Sequence, residues 1–225
     1  MGVLADSRRI ARWRSSTRLV DDEPRATGSP LTTSRRSFEP VTDAHLERLK
    51  DLALVRDAEL RRKRPDWCSD RIAICLGQGA ARHRVHGDRG VKDLDVWIFY
   101  ALGPGQGSDG FPFNRANAHV DFGPSTHGVQ SWSAEERSDP RLARRIRAWA
   151  HFLGRRVDIM ARGIAYESNP RDAVVAWVHA GSSRHGSSGW HLSRAPVVAI
   201  DPNLGKVWWA GPRDDEPGVE KGAYS

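Results

Sequence analysis

The chain has 225 residues, with 35 Lys and Arg against 28 Asp and Glu, for a formal net charge of +7. That length suits one domain with tails. No run of about 18 apolar residues is present to cross a membrane as a helix, and two cysteines, Cys68 and Cys75, are too few to frame a disulfide-rich fold or a paired Cys/His zinc site. The basic excess points toward polyanions, and arginine outnumbers lysine thirty to five, as bidentate phosphate contacts favour. Arginine-rich coding explains the same composition equally well, so charge alone establishes no nucleic-acid partner.

Residues 1–40 place eight arginines among Ser, Thr, Pro and Gly with scattered apolar residues, and are expected to be a disordered leader. The domain is expected to span residues 41–210, with a mobile tail over 211–225. Thr42 or Asp43 caps a helix whose apolar face is Leu46, Leu49, Leu52, Ala53 and Leu60, ended by Pro65. Residues 71–76 read as a short buried strand, stopped by Gly77-Gln78-Gly79, with a short helix over 80–86. Residues 91–102, rich in Val, Trp, Ile, Phe and Tyr, read as a longer strand. Four glycines between 103 and 110 make a loop.

The pattern then predicts a strand over 118–122 and a helix from Asp139-Pro140 through Leu142, Ile146 and Trp149. A further strand follows over 155–160 and a helix over 170–179. Residues 181–189 read as a Ser/Gly linker, and residues 196–200 and 206–210 flank a turn as a hairpin. The order describes an α+β domain, one mixed sheet with flanking helices.

One segment carries the chemistry. After the Gly77-Gln78-Gly79-Ala80-Ala81 turn comes Arg89-Gly90-Val91-Lys92-Asp93-Leu94-Asp95-Val96. On a strand, Asp93 and Asp95 share a face about 6.5–7 Å apart. Two acids on an apolar strand are costly unless paired or metal-bound, and magnesium favours such hard oxygens. A third carboxylate would complete a two-metal site. Asp158, in Val157-Asp158-Ile159-Met160 with Arg155, Arg156 and Arg162 nearby, is favoured over Asp121, which precedes Gly-Pro. Lys92 points away from both aspartates and is not assigned to phosphate. The competing reading is a surface strand edge whose acids pair with arginines.

These residues resemble the nucleotidyltransferase superfamily of DNA polymerase β-like fold. The closest motif likeness is to its antitoxin-paired AbiEii/MenT-like branch, with a G-G-[ST]-A turn and R-x-[ST]-x-D-x-D. Gln78-Gly79-Ala80-Ala81 falls on the first motif; Arg89, Val91, Asp93 and Asp95 fall on the second. The likeness covers roughly residues 71–100 plus Asp158. Gln78 replaces a family glycine, and Ala80 and Val91 replace hydroxyl residues. The resemblance implies Asp93, Asp95 and Asp158 as catalytic metal ligands for two Mg²⁺ ions. It implies Gly77, Gly79, Ala80, Arg89 and Arg162 around a nucleoside triphosphate, with backbone N–H groups carrying the phosphates. It further implies a cytoplasmic enzyme moving a nucleoside monophosphate onto RNA, a protein or a small-molecule hydroxyl, with an antitoxin as partner.

A catalytically lapsed RNA- or protein-binding module is the alternative. The arginines 141, 144, 145, 147, 155 and 156 read either as a solvated face or as an RNA ridge fitted to the tRNA acceptor stem. His83 and His86 are candidates to meet a metal or nucleotide, but read first as solvated. Cys68 and Cys75 read as plain buried thiols, and Trp208-Trp209 as a packed core pair. No P-loop or G-x-S-x-G pattern is present.

Overall fold

A computed structural model describes residues 39–87, 91, 93–113, 117–123, 140 and 156–212. Residues 1–38 of the expected leader, the helix expected from Asp139 apart from Pro140, the arginines 141–155 and the tail from residue 213 lie outside the described residues.

The long helix α1 (Asp43–Lys63) follows from its stripe: Leu46, Leu49, Ala53 and Leu60 are all fully buried. Thr42 is its N-cap, and the Thr42 N–H donates to His45 Nδ1 at 3.0 Å. Arg64 breaks the helix with φ −144° and ψ 71°, outside the helical region that Pro65 disfavours for the residue before it. The proline then opens a short new turn, α2 (Pro65–Cys68), which the sequence reading left out. Strand β1 (Arg71–Gly77) runs into α3 (Gln78–His86), which starts two residues earlier than expected.

Strand β2 spans Leu94–Ala101, so the expected strand over 91–102 begins later and Asp93 sits in the bend that enters it. A 3₁₀ turn at Ser108–Gly110 lies in the glycine loop. Strands β3 (Asn117–Asp121) and β4 (Arg156–Ile164) follow, then α4 (Pro170–Gly181), held by Asn169 Oδ1 accepting from Arg171 N–H at 2.9 Å. The expected Ser/Gly linker is instead a turn leading into helix α5 (Ser188–Ser193), capped by Ser187. Glycine there serves packing: a Cβ on Gly181 would sit 2.5 Å from Gly189 Cα. The C-terminal hairpin pairs β5 (Val197–Asp201) with β6 (Val207–Trp209).

Among the described residues, six strands form one mixed sheet in the order β3-β4-β2-β1-β5-β6. Only β2 and β4 run parallel; the other neighbouring pairs are antiparallel. The protein is therefore α+β, as its element order implies. Ile74 and Leu76 of β1, with Val96 and Ile98 of β2, pack under α1 and α3. The opposite face carries Cys75, Trp97 and Phe99 beneath Val174 and Val178 of α4 and Leu192 of α5. Trp177 closes over Phe99 edge-on, with ring centroids 5.5 Å apart. Burying each such aliphatic or aromatic side chain contributes about 1.5–3 kcal/mol.

At one end of the sheet, buried Asp57 ties α1 down by accepting from Arg61 Nε, Arg71 Nε and the Tyr100 hydroxyl, the last at 2.6 Å. Arg71 also reaches Asp201 at 2.6 Å. Arg71 and Tyr100 are register partners, whereas Gly77 and Asp95 pair at the far end of the same two strands. The far end is where the acids gather.

Candidate functional site

The register of the sheet lines up one row of residues across four strands. Gly77 of β1 faces Asp95 of β2, Asp95 faces Asp158 of β4, and Asp158 faces His119 of β3. Register partners on neighbouring strands share a face about 4.8 Å apart. Asp95 and Asp158 are thus held side by side by backbone hydrogen bonds. Both lie on interior strands, with residue exposures of 9% and 6%, so a surface strand edge does not describe them. Asp93, in the bend before β2, is half-buried.

The three carboxylates act on one another. Burial pushes the Asp95 carboxyl well above the usual carboxylate range. The negative charges of Asp93 and Asp158 push it further, against the opposing pull of Arg156. Arg156, two residues before Asp158 on the same face of β4, places Nη2 2.8 Å from Asp158 Oδ2 and 3.3 Å from Asp93 Oδ2. The other Asp158 oxygen meets His119 Nδ1 at 2.7 Å, while the His119 ring stays half exposed. Asp121, the competing third acid, ends β3 and accepts from the Gly123 N–H at 2.8 Å, facing Arg156 rather than Asp95.

The turn beside Asp95 is built from two glycines with different duties. A Cβ on Gly77 would lie 2.3 Å from Leu192 Cδ2 and 3.1 Å from Trp97 Nε1, so packing requires this glycine. A Cβ on Gly79 would meet nothing within 4 Å. Gln78 between them has a left-handed φ of 53°, the region glycine occupies at least cost. The Ala80 side chain is fully buried, so only its backbone faces the turn. Helix α3 has neither an acid in its first turn nor a side-chain cap, which leaves its first N–H groups and the positive end of its dipole for an anion.

Other candidates fall elsewhere. Arg89 and Lys92 lie outside the described residues. Arg162 sits four residues beyond Asp158, about 13 Å along β4. There it donates to Ser188 Oγ at 2.6 Å and to the Ala161 carbonyl at 2.6 Å, and stacks 4.9 Å over the Trp97 ring. Burial lowers its pKa to about 10. His83 is buried with Nε2 2.9 Å from the Glu39 carbonyl, contrary to the expectation of a solvated histidine; His86 is exposed. Cys68 and Cys75 are buried free thiols, Cys68 pushed up to about 11 by burial and Cys75 shifted the same way. Trp208 packs into the core, and Trp209 donates to the Ser193 carbonyl at 3.0 Å.

His119 is the site residue the sequence reading missed. The signal was its position two residues before Asp121, which puts both on one face of β3. The donor set of Asp93, Asp95 and Asp158 is all hard carboxylate oxygen, which suits Mg²⁺. The surplus negative charge that perturbs Asp95 is what a cation there would relieve. Among the described residues, however, no three His, Cys, Asp or Glu side chains stand arranged as a ready metal cluster, and the guanidinium of Arg156 lies between two of the acids. No protein-family model, curated protein or solved structure matches the chain.

Proposed function

We propose that the protein is a Mg²⁺-dependent nucleotidyltransferase that moves a nucleoside monophosphate from a nucleoside triphosphate onto RNA, a protein or a small-molecule hydroxyl. The observation that carries this reading is the register pairing of Asp95 with Asp158, with Asp93 close enough to perturb Asp95. Asp93, Asp95 and Asp158 would hold the metal, which when bound supplies positive charge to a polyphosphate and lowers the pKa of a hydroxyl.

The chain's own groups do the rest. The first N–H groups of α3 donate to phosphate oxygens beside Asp95. Gly79, with open space where a side chain would be, lets the phosphate reach the backbone. His119 fixes one oxygen of Asp158, so that carboxylate presents a single orientation. Arg89, two residues before Val91, is assigned to the triphosphate on the motif alone. In this reading the enzyme works in the cytoplasm, where triphosphates are, with tRNA as one acceptor and an antitoxin as one partner. Among the described residues, no helix is long and apolar enough to cross a membrane.

A catalytically lapsed RNA- or protein-binding module is the second reading. It is favoured by Arg156, which already pairs with two of the acids. Thermal shift separates the two. Mg²⁺ with a triphosphate should stabilise the wild type, and Asp93→Ala or Asp95→Ala should lose the response. A wild type indifferent to both ligands favours the binding module.

A further inference from the structure

Arg156 occupies an unusual place. Its side chain is 8% exposed, and one nitrogen, Nη2, contacts carboxylate oxygens from two different chain segments, the bend before β2 and strand β4. The third acid, Asp95, feels the same guanidinium as its attractive neighbour. The point that serves Asp93 and Asp158 together is the point any cation shared by them would take. We propose that Arg156 is the resident cation of the carboxylate cluster. It pairs with Asp93 and Asp158 in the free protein and must release at least one of them when a divalent ion binds. The proposal rests on the nucleotidyltransferase reading and adds to it a competition that sets metal affinity.

The physical argument is one of charge and reach. Three carboxylates at one end of an interior strand pair repel one another, and burial magnifies that repulsion. The guanidinium relieves it in the free protein; a divalent ion relieves it more fully, with twice the charge. The two cations repel each other, so Arg156 in place opposes the metal. Other groups facing the cluster are His119, on the far oxygen of Asp158, and Asp121, the register partner of Arg156. His119 bonds the opposite side of Asp158, so it does not take over from Arg156 at Asp93. Arg156 is anchored by its own strand, and its long side chain can swing away while the β4 backbone stays paired.

A purely structural clamp makes the contrary prediction. If Arg156 served only to hold Asp93 and Asp158 in place, removing it would loosen the acids and weaken metal binding. The experiment is Mn²⁺ titration by calorimetry of the full chain as wild type, Arg156→Met and Arg156→Gln. Circular dichroism reports the fold, and thermal unfolding is recorded with EDTA and with Mn²⁺. Arg156→Met should bind Mn²⁺ at least about tenfold more tightly. It should unfold at a lower temperature in EDTA, and gain more from Mn²⁺ than the wild type does.

Equal or weaker binding by Arg156→Met, with the wild type binding normally, overturns the proposal and leaves the nucleotidyltransferase reading standing. No Mn²⁺ binding by either protein overturns both. If Arg156→Met does not fold, Arg156→Gln decides. It removes the charge but keeps a polar side chain able to hydrogen-bond the carboxylates. Tighter binding than wild type supports the competition, and equal or weaker binding refutes it.

Discussion

Gly77 and Gly79 stand two residues apart in one turn, and the structure assigns them opposite consequences on substitution to alanine. At Gly77 the new methyl would lie 2.3 Å from Leu192 Cδ2, a fully buried atom, and 3.1 Å from Trp97 Nε1. Ordinary carbon contacts lie near 3.5–4.0 Å, so Leu192 or the β1–α3 turn must move by more than an ångström inside a packed layer. Overpacking of this kind costs about 1–3 kcal/mol. For a domain of this size, that is a fall in Tm of about 2–12 °C. At Gly79 no atom lies within 4 Å of the new methyl. Stability should hold or rise by up to about 1 kcal/mol, because alanine suits a helix better than glycine.

Function should divide the other way. Gly77→Ala that remains folded should keep its response to Mg²⁺ and triphosphate. Gly79→Ala should lose most of it, because the methyl stands where a phosphate approaches the α3 backbone. Urea unfolding measures the first half of the prediction and thermal shift with ligand the second. A Gly77→Ala protein as stable as wild type would refute the packing argument. A Gly79→Ala protein with undiminished ligand response would refute phosphate approach at that backbone.

Two further outcomes follow from the same region. Gln78→Gly should raise stability by up to about 1 kcal/mol in urea unfolding, since a left-handed φ of 53° costs a side-chain-bearing residue more than it costs glycine. A loss of stability would mean that the Gln78 side chain contributes more than its backbone costs. Asp95→Asn should be more stable than wild type at pH 8 in EDTA, with the advantage shrinking as pH falls. The sign comes from the raised pKa of Asp95 in the folded state: its favourable protonated form is fully present at low pH and lost as pH rises through the folded value. Urea unfolding at several pH values checks it, and a constant or inverted difference would contradict the burial and charge cause.

Much of this arrangement is legible in the residues. The apolar stripe of α1, the strand ending at Gly77, and acids set within apolar segments all follow from local pattern, and the structure sets Asp158, not Asp121, beside Asp95. Local pattern does not show where β2 begins. The sequence Val91-Lys92-Asp93-Leu94 continues the strand's composition, yet pairing starts only at Leu94, which leaves Asp93 in the bend. Nor does it show that Arg156 contacts Asp93, because 63 residues separate them and only the parallel β2–β4 register brings them together. Helix α5 read as a linker because Ser and Gly favour turns; Ser187 is in fact its cap, and Gly189 allows close passage past Gly181. The packing need for glycine at 77 comes from Leu192, far along the chain, which no local pattern shows.

Transfer of label tests the central claim most directly. The wild-type protein would be incubated with each α-labelled nucleoside triphosphate, Mg²⁺, and cellular RNA or protein, while pyrophosphate is measured. The carboxylate cluster predicts label on an acceptor with matching pyrophosphate release, abolished by EDTA and reduced at least about 10²-fold in Asp95→Asn. No Mg²⁺-dependent release with any triphosphate, or equal release from Asp95→Asn, would contradict it.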